Sequence, residues 1–379
     1  MNIASRMLSG LVCFAALAAH NAFAGPRNDE PSFHVIGYVS DAKKLPPVSA
    51  RKLDVINFAF AKVNPQHEVF LPGDTASNSL ATLTGLRKDN PQLKVVLSIG
   101  GWGAGNFSEA AGTASARKTF IDTSTALMLA HDLDGLDIDW EYPTQPGPGI
   151  SHSPADRENF SLLLEELRAR LDTLGRKPRR HYLLTIAAAD GKAAEGLELA
   201  RIAKALDWIN LMTYDFYGSL NPTTGHHAGL RPSALSPADG RNATRAVDEF
   251  LAGGVPPRKI NLGLAFYGRR FGDVTPEHDG LYQPFASDGG YVTWQQIQRD
   301  FLGKGGFVRH WDEAAQSAWL WNAAERKMIS YDDPQALKAK AAFVRERGLG
   351  GVMYWEQSTD PEEQLLDVVR EALLATPAR

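Results

Sequence analysis

Residues 134–143 read Asp-Gly-Leu-Asp-Ile-Asp-Trp-Glu-Tyr-Pro. Alternate residues of a strand share a face. Asp137, Asp139 and Glu141 therefore point one way, with Cα atoms roughly 6.6 Å apart along the strand. Leu136, Ile138 and Trp140 point the other way and need a helix layer to cover them. The acids then face an interior on the opposite side, and Glu141 lies nearest the C-terminal end. Three like charges in a low-dielectric interior cannot all ionise cheaply, so at least one holds a proton at neutral pH. A carboxyl kept protonated in this way is what a general acid requires. A structural acidic cluster and a cation site are the competing readings. Hard cations favour carboxylates, but no second carboxylate run accompanies this strand. Burying such a cluster has no stability rationale, and no metal is expected.

Seven further runs have the texture of strands: His34–Ser40, Val55–Val63, Lys94–Trp102, Tyr182–Ala189, Trp208–Gly218, Asn261–Arg270 and Gly351–Gln357. With Gly135–Pro143 they make eight. Most are near-continuous apolar runs, as expected of parallel strands covered on both faces. Amphipathic segments lie between many of them. Ser153-Pro154-x-Asp156 reads as an N-cap, a proline at the first helical position and an acid in the first turn. Phe160, Leu163, Leu164, Leu167 and Leu171 follow as one apolar stripe. Asp333-Pro334 opens another helix, and Gly348 stops it. Eight strands with intervening helices indicate an α/β fold, a (β/α)8 TIM barrel.

One spacing breaks the pattern. About sixty residues separate Arg270 from Tyr331, with Gly-Gly pairs at 289–290 and 305–306. They also hold Tyr291, Trp294, Phe307, Trp311, Trp319 and Trp321. A structureless loop of that length is unusual. The stretch reads as a small α+β insertion domain between strand 7 and strand 8. It would open on the face where barrel active sites lie. The organisation expected is a leader at 1–24, barrel at 25–270, insertion at 271–330 and the rest of the barrel at 331–379. Trp140 and Trp208 are read as barrel core, and Trp294, Trp311, Trp319 and Trp321 mainly as insertion core.

Met1–Ala24 carries Arg6, no acid, an apolar run over Leu8–Ala19 and the small-x-small pattern Ala22-Phe23-Ala24. This reads as a secretory signal peptide, too short to anchor as a membrane helix. It takes with it Cys13, the single cysteine, so neither a disulfide framework nor a thiolate metal site is available. The 379 residues are 44% hydrophobic and 22% charged, with a formal net charge of −4. That balance argues against a nucleic-acid binder working through a basic surface.

The acidic strand resembles the signature of glycoside hydrolase family 18, the chitinases: D-x-x-D-x-D-x-E, here Asp134, Asp137, Asp139 and Glu141. Three more markers follow the same family. They are S-x-G-G as Ser98-Ile99-Gly100-Gly101, Met-x-Tyr-Asp as Met212-Thr213-Tyr214-Asp215, and a strand-end tryptophan as Trp355. The resemblance covers about Phe33 to Leu374, and the segment after Arg270 resembles the chitinase insertion domain. It implies an exported chitinase, secreted or periplasmic, that cuts β-1,4-linked N-acetylglucosamine polymers or oligomers. The mechanism implied is retaining and substrate-assisted, an exception to the two-carboxylate rule. No cofactor, nucleic acid or membrane partner is expected after leader cleavage, and the default assembly is a monomer.

By the same resemblance, Glu141 is the acid and Asp139 orients the acetamido group. Asp137 tunes the pair, and Tyr214 fixes the acetamido oxygen. Met212 and Asp215 line the pocket, Trp355 is the floor under the sugar, and Tyr267 with Arg269 contact sugar. Position adds Trp102 on the leaving-group side and Tyr38 and Phe60 at strand ends. Tyr142, directly after Glu141, is counted with the binding set. Asp134, Ser98, Gly100 and Gly101 are supporting. Ser98 is a hydrogen-bond partner rather than a nucleophile, and the glycines allow close backbone approach. His226-His227 reads as an exposed loop pair. An endo-β-N-acetylglucosaminidase acting on glycans or peptidoglycan is the alternative within the family. A non-catalytic chitin-binding lectin of the same fold is disfavoured because Glu141 is present.

Overall fold

The computed structural model describes residues 33–374, and the leader reading, Cys13 included, lies outside them. In chain order the strands are β1 (His34–Ser40), β2 (Val55–Val63), β3 (Val69–Phe70), β4 (Lys94–Gly100), β5 (Gly135–Asp139), β6 (Leu183–Ala188), β7 (Trp208–Leu211), β8 (Ile260–Ala265), β9 (Tyr267–Gly272), β10 (Ser287–Thr293), β11 (Val308–Asp312), β12 (Ser317–Asn322), β13 (Lys327–Tyr331) and β14 (Gly351–Trp355). Strands β1, β2, β4, β5, β6, β7, β8 and β14 pair in parallel in that order, and β14 pairs back onto β1. The sheet therefore closes into a (β/α)8 barrel.

Strand parity divides the side chains into two layers. Leu97, Leu136, Ile138, Ile186, Ile209 and Leu262 face outward and pack with helix residues such as Phe120, Leu163, Phe250 and Val344. Ile36, Tyr38, Val96, Trp208, Met212 and Met353 fill the inside. Trp140 lies in the outer layer, stacked on Phe107 at 5.4 Å and edge-on to Phe160 at 5.3 Å. Strand β2 breaks the alternation. Its register against β4 slips between Ala59 and Ala61, a bulge that shifts the facing of every later residue.

The helix carrying the Phe160–Leu171 stripe starts later than the sequence signal suggested. It runs Asp156–Gly175, and neither Ser153 nor Pro154 caps it. Asp156 is buried and binds backward instead: Oδ2 accepts from Ser153 N at 2.7 Å and Oδ1 from Ser108 Oγ at 2.6 Å. The acid thus ties the loop after β5 to the helix. At Pro334–Glu346 the sequence signals hold: Asp333 accepts from Ala336 N, and Gly348 is left-handed just past the end.

The run Asn261–Arg270 is two strands rather than one. Ala265 still pairs with Trp355 in the barrel, whereas Tyr267 pairs with Thr293 in a second sheet. That sheet is antiparallel, in the order β10-β9-β13-β12-β11. Phe266 is the crossover: its N–H donates to Trp355 O at 2.9 Å and its carbonyl accepts from Trp294 N at 3.2 Å. The chain re-enters at Asp332, whose Oδ2 accepts from Ala265 N at 3.3 Å and pairs with the buried Lys340 at 2.5 Å. Trp294, Trp319 and Trp321 are buried, and Trp311 is half-buried with its N–H donated to Glu313.

Candidate active site

Strand β5 delivers its acids at three depths. Asp137 is fully buried in the barrel and accepts four hydrogen bonds. Tyr38 Oη and Ser98 Oγ donate to Oδ2 at 2.7 Å each. Thr185 Oγ1 and Asn210 Nδ2 donate to Oδ1 at 2.6 and 3.3 Å. Burial pushes this carboxyl up, and the four donors pull against that. Ser98 is thus a partner of Asp137.

Asp139 ends the strand and is buried, and its Oδ1 has no partner. Burial, then the charges of Glu141 and Asp137, hold it well above the usual carboxylate range. Glu141 lies just past the strand and is half-buried. Burial is the main cause that raises it to about 7, with Asp215 adding to the rise and the Tyr142 hydroxyl and Lys62 opposing it. The group nearest the opening is therefore the one poised to exchange a proton near neutrality.

The glycines serve this strand. A Cβ on Gly100 would lie 2.0 Å from Asp139 O, and one on Gly101 would lie 2.6 Å from the Phe60 ring. Both have positive φ, and Gly101 N donates to Asp139 O at 2.9 Å. Asp134, by contrast, sits at the opposite end of β5. Arg87 and Arg180 grip it at 2.6 and 2.8 Å, and Val95 N donates to it at 2.9 Å.

Aromatic residues surround the opening. Trp355, at the end of β14, stacks on Phe60 at 5.7 Å and 18°, with Tyr38 at 5.6 Å. Tyr214 and Met212 are buried inside the barrel mouth. Tyr214 lies edge-on to Tyr267 at 6.1 Å, and burial raises its hydroxyl well above 10. Trp102 is 57% exposed and meets Tyr142 edge-on at 6.4 Å. A large aromatic surface left open beside buried acids suits a ring with an apolar face.

The inserted sheet supplies one wall. Asp215 adopts a left-handed conformation, φ 54°, and turns its carboxylate to Arg269 of β9. Arg269 holds it with two bonds, 2.8 and 2.7 Å. Although burial works against it, the nearby His227 ring and the Arg269 guanidinium keep this carboxyl well below its ordinary range. Tyr267 stacks on Tyr291 of β10 at 4.5 Å. Tyr291 was absent from the sequence-derived site, because only the β9–β10 pairing brings it there.

His226-His227 is not an exposed loop pair: both are buried. His226 Nε2 lies 3.1 Å from Asp312 Oδ2, and its ring packs edge-on to Trp319. His227 donates its backbone N–H to Ser330 Oγ, and its Nδ1 lies 3.6 Å from Asp215. The inserted sheet covers both. A second residue missed from sequence is Lys62, whose Nζ donates to Gly100 O at 2.5 Å and lies 5.1 Å from the Phe60 ring centre. Among the described residues, no group of His, Cys, Asp and Glu is arranged to hold a metal.

Residues 34–360 match the family model described as Glycosyl hydrolases family 18. The chain is 36% identical over 321 residues to Chitinase A1 of Niallia circulans, covering 79% of this chain and 46% of that protein. It spans about half to two-thirds of the length of such curated relatives. Among solved structures, a glycoside hydrolase family 18 N-acetylglucosaminidase from Paenibacillus barengoltzii superposes with a TM-score of 0.85. The two are 38% identical, with 90% of this chain and all of that one covered. A Class V Chitinase from Nicotiana tobaccum, solved in complex with NAG4, gives 0.81 at 29% identity, covering 91% of this chain and 99% of that one.

Proposed function

Because the chain belongs to glycosyl hydrolases family 18, we propose that it is an exported chitinase. It cleaves β-1,4 bonds between N-acetylglucosamine units with retention of configuration. The observation that carries this reading is the pair Asp139–Glu141. A carboxyl raised to about 7 stands at the opening, and a buried acid with an unpartnered oxygen stands behind it. Export is supported by the leader-like run before Phe33.

In this mechanism Glu141 donates its proton to the glycosidic oxygen as the bond to the anomeric carbon breaks. The substrate's own acetamido oxygen attacks that carbon and forms an oxazolinium ion, so no enzyme nucleophile is required. Asp139 orients the acetamido N–H and stabilises the positive charge as it develops. Asp137 and its four donors keep Asp139 in register. Tyr214 fixes the acetamido oxygen, an orientation effect, and Trp355 carries the sugar face. Glu141, now an anion, takes a proton from the incoming water, and the product keeps its β configuration.

The likeness to an N-acetylglucosaminidase over that protein's whole length favours a second reading, release of single sugars from a chain end. One experiment addresses both. Chitin tetramer to hexamer is followed with time, anomers resolved by NMR, beside an N-glycan. β-Anomers of short oligomers are the expected first products, and monomer alone selects the second reading. If the glycan is cut and the oligomers survive, the substrate assignment is wrong.

A further inference from the structure

We propose that Lys62 is a positioning residue for the acidic strand: its ammonium, anchored on the Gly100 carbonyl, supplies the positive charge that relieves the crowding of Asp139 and Glu141. This rests on the mechanism above, which needs one anion and one acid side by side. Each other charge at the site has its own counterpart. Asp137 is met by four donors and Asp215 by the Arg269 fork. Asp139 has no such partner at Oδ1. Among the described residues Lys62 makes no direct ion pair; it has one acceptor, Gly100 O, and the face of Phe60.

The placement comes from the backbone. The β2 bulge at Phe60 turns Lys62 to the inner side, where simple alternation would send it outward with Ile56 and Phe58. Gly100, which accepts from its ammonium, is the residue registered against Asp139. The charge is thus held on the strand next to the acids. The groups facing Lys62 can be named strand by strand. On β3, Phe70 stands opposite it, and on β4 there is Gly100, neither titratable. Asp139 of β5 and Glu141 beyond it are the charged groups that act on it. They raise the ammonium against a larger lowering from burial, and it lowers both of theirs in return. Asp137, Asp215, Tyr142, Tyr38 of β1 and Tyr214 are further titratable groups that interact with the two acids.

The test is the pH profile of kcat/KM on chitin tetramer for the parent, Lys62→Met and Lys62→Arg. Losing the cation disfavours both anions, so both limbs of the Lys62→Met profile move to higher pH by half a unit or more. KM at the optimum stays within twofold, and Lys62→Arg returns the limbs toward the parent. Superimposable parent and Met profiles overturn the proposal, as does an Arg variant that shifts like Met. Carboxyl 13C shifts of Asp139 and Glu141 report the same titrations without substrate. The proposal therefore stands or falls on them even if the parent cuts no chitin, an outcome that counts against the functional reading alone. Lys62→Gln serves if Met does not fold.

Discussion

The two ends of β5 carry the same kind of side chain and treat it in opposite ways. At the N-terminal end, Asp134 is closed in by Arg87 and Arg180 within 2.8 Å and by Lys94 at 3.5 Å. Its carboxyl is lowered despite burial, by Val95 N–H and the two guanidinium groups. At the other end, Asp139 and Glu141 are raised, with burial as the largest cause. One end spends carboxylate charge on cohesion. The other leaves it short of partners, as the proposed chemistry requires. Burying charge without compensation is tolerated where chemistry uses it.

The sharpest way to break this contrast is Glu141→Gln. Hydrolysis of chitin oligomers should fall by on the order of 10²–10⁴-fold, the usual worth of a general acid. The melting temperature at pH 8 should hold or rise, because a disfavoured anion is gone. Next is Asp134→Ala, which leaves two arginines facing a void. Denaturant unfolding should show a loss of about 2–3 kcal/mol, below the figure for a fully buried pair because the arginines are partly exposed. Activity per folded molecule should stay within twofold. Trp102→Ala should raise KM for long oligomers by an amount worth about 1–2 kcal/mol, the burial of one sugar face, with kcat little changed.

The smallest effect lies in the pH dependence of stability, and its sign differs between the ends. Glu141 is raised from 4.5 to about 7, so the folded state holds its proton longer and stability falls as pH rises through that window. Asp134 is lowered from 3.8, so its contribution is present above that value and is lost as pH falls below it. Melting temperature plotted against pH should therefore flatten between about 4.5 and 7 in Glu141→Gln and below 3.8 in Asp134→Asn. The opposite pattern would reverse the two roles.

What could be read from sequence follows period-two logic. Asp137, Asp139 and Glu141 announce their facing because β5 is regular and its other face is wholly apolar. Lys62 was hidden because a bulge inverts the parity of β2 after Ala59, and nothing in Phe58-Ala59-Phe60-Ala61-Lys62 signals a bulge. His226 and His227 looked exposed because their cover comes from β11–β13, far along the chain. The break at Phe266 was invisible for a similar reason: the run stays apolar across it, and only pairing partners distinguish β8 from β9. Local pattern reveals which way a strand faces, whereas long-range pairing decides what covers it.

Ala265 and Asp332 bracket the inserted sheet and touch each other through one 3.3 Å hydrogen bond. The two ends are therefore a ready splice point. A chain running almost directly from one to the other could still close the barrel, since Trp355 pairs with Ala265 on the barrel side of the junction. Without the inserted sheet Arg269 and Tyr267 are gone, Asp215 loses its clamp, and His226 and His227 lose their cover. A chain cut at Phe266 and Asp332 should lose stability as well as Tyr267 and Arg269, because His226 and His227 would be uncovered, whereas cuts inside β9 would strand half of a paired sheet on each side.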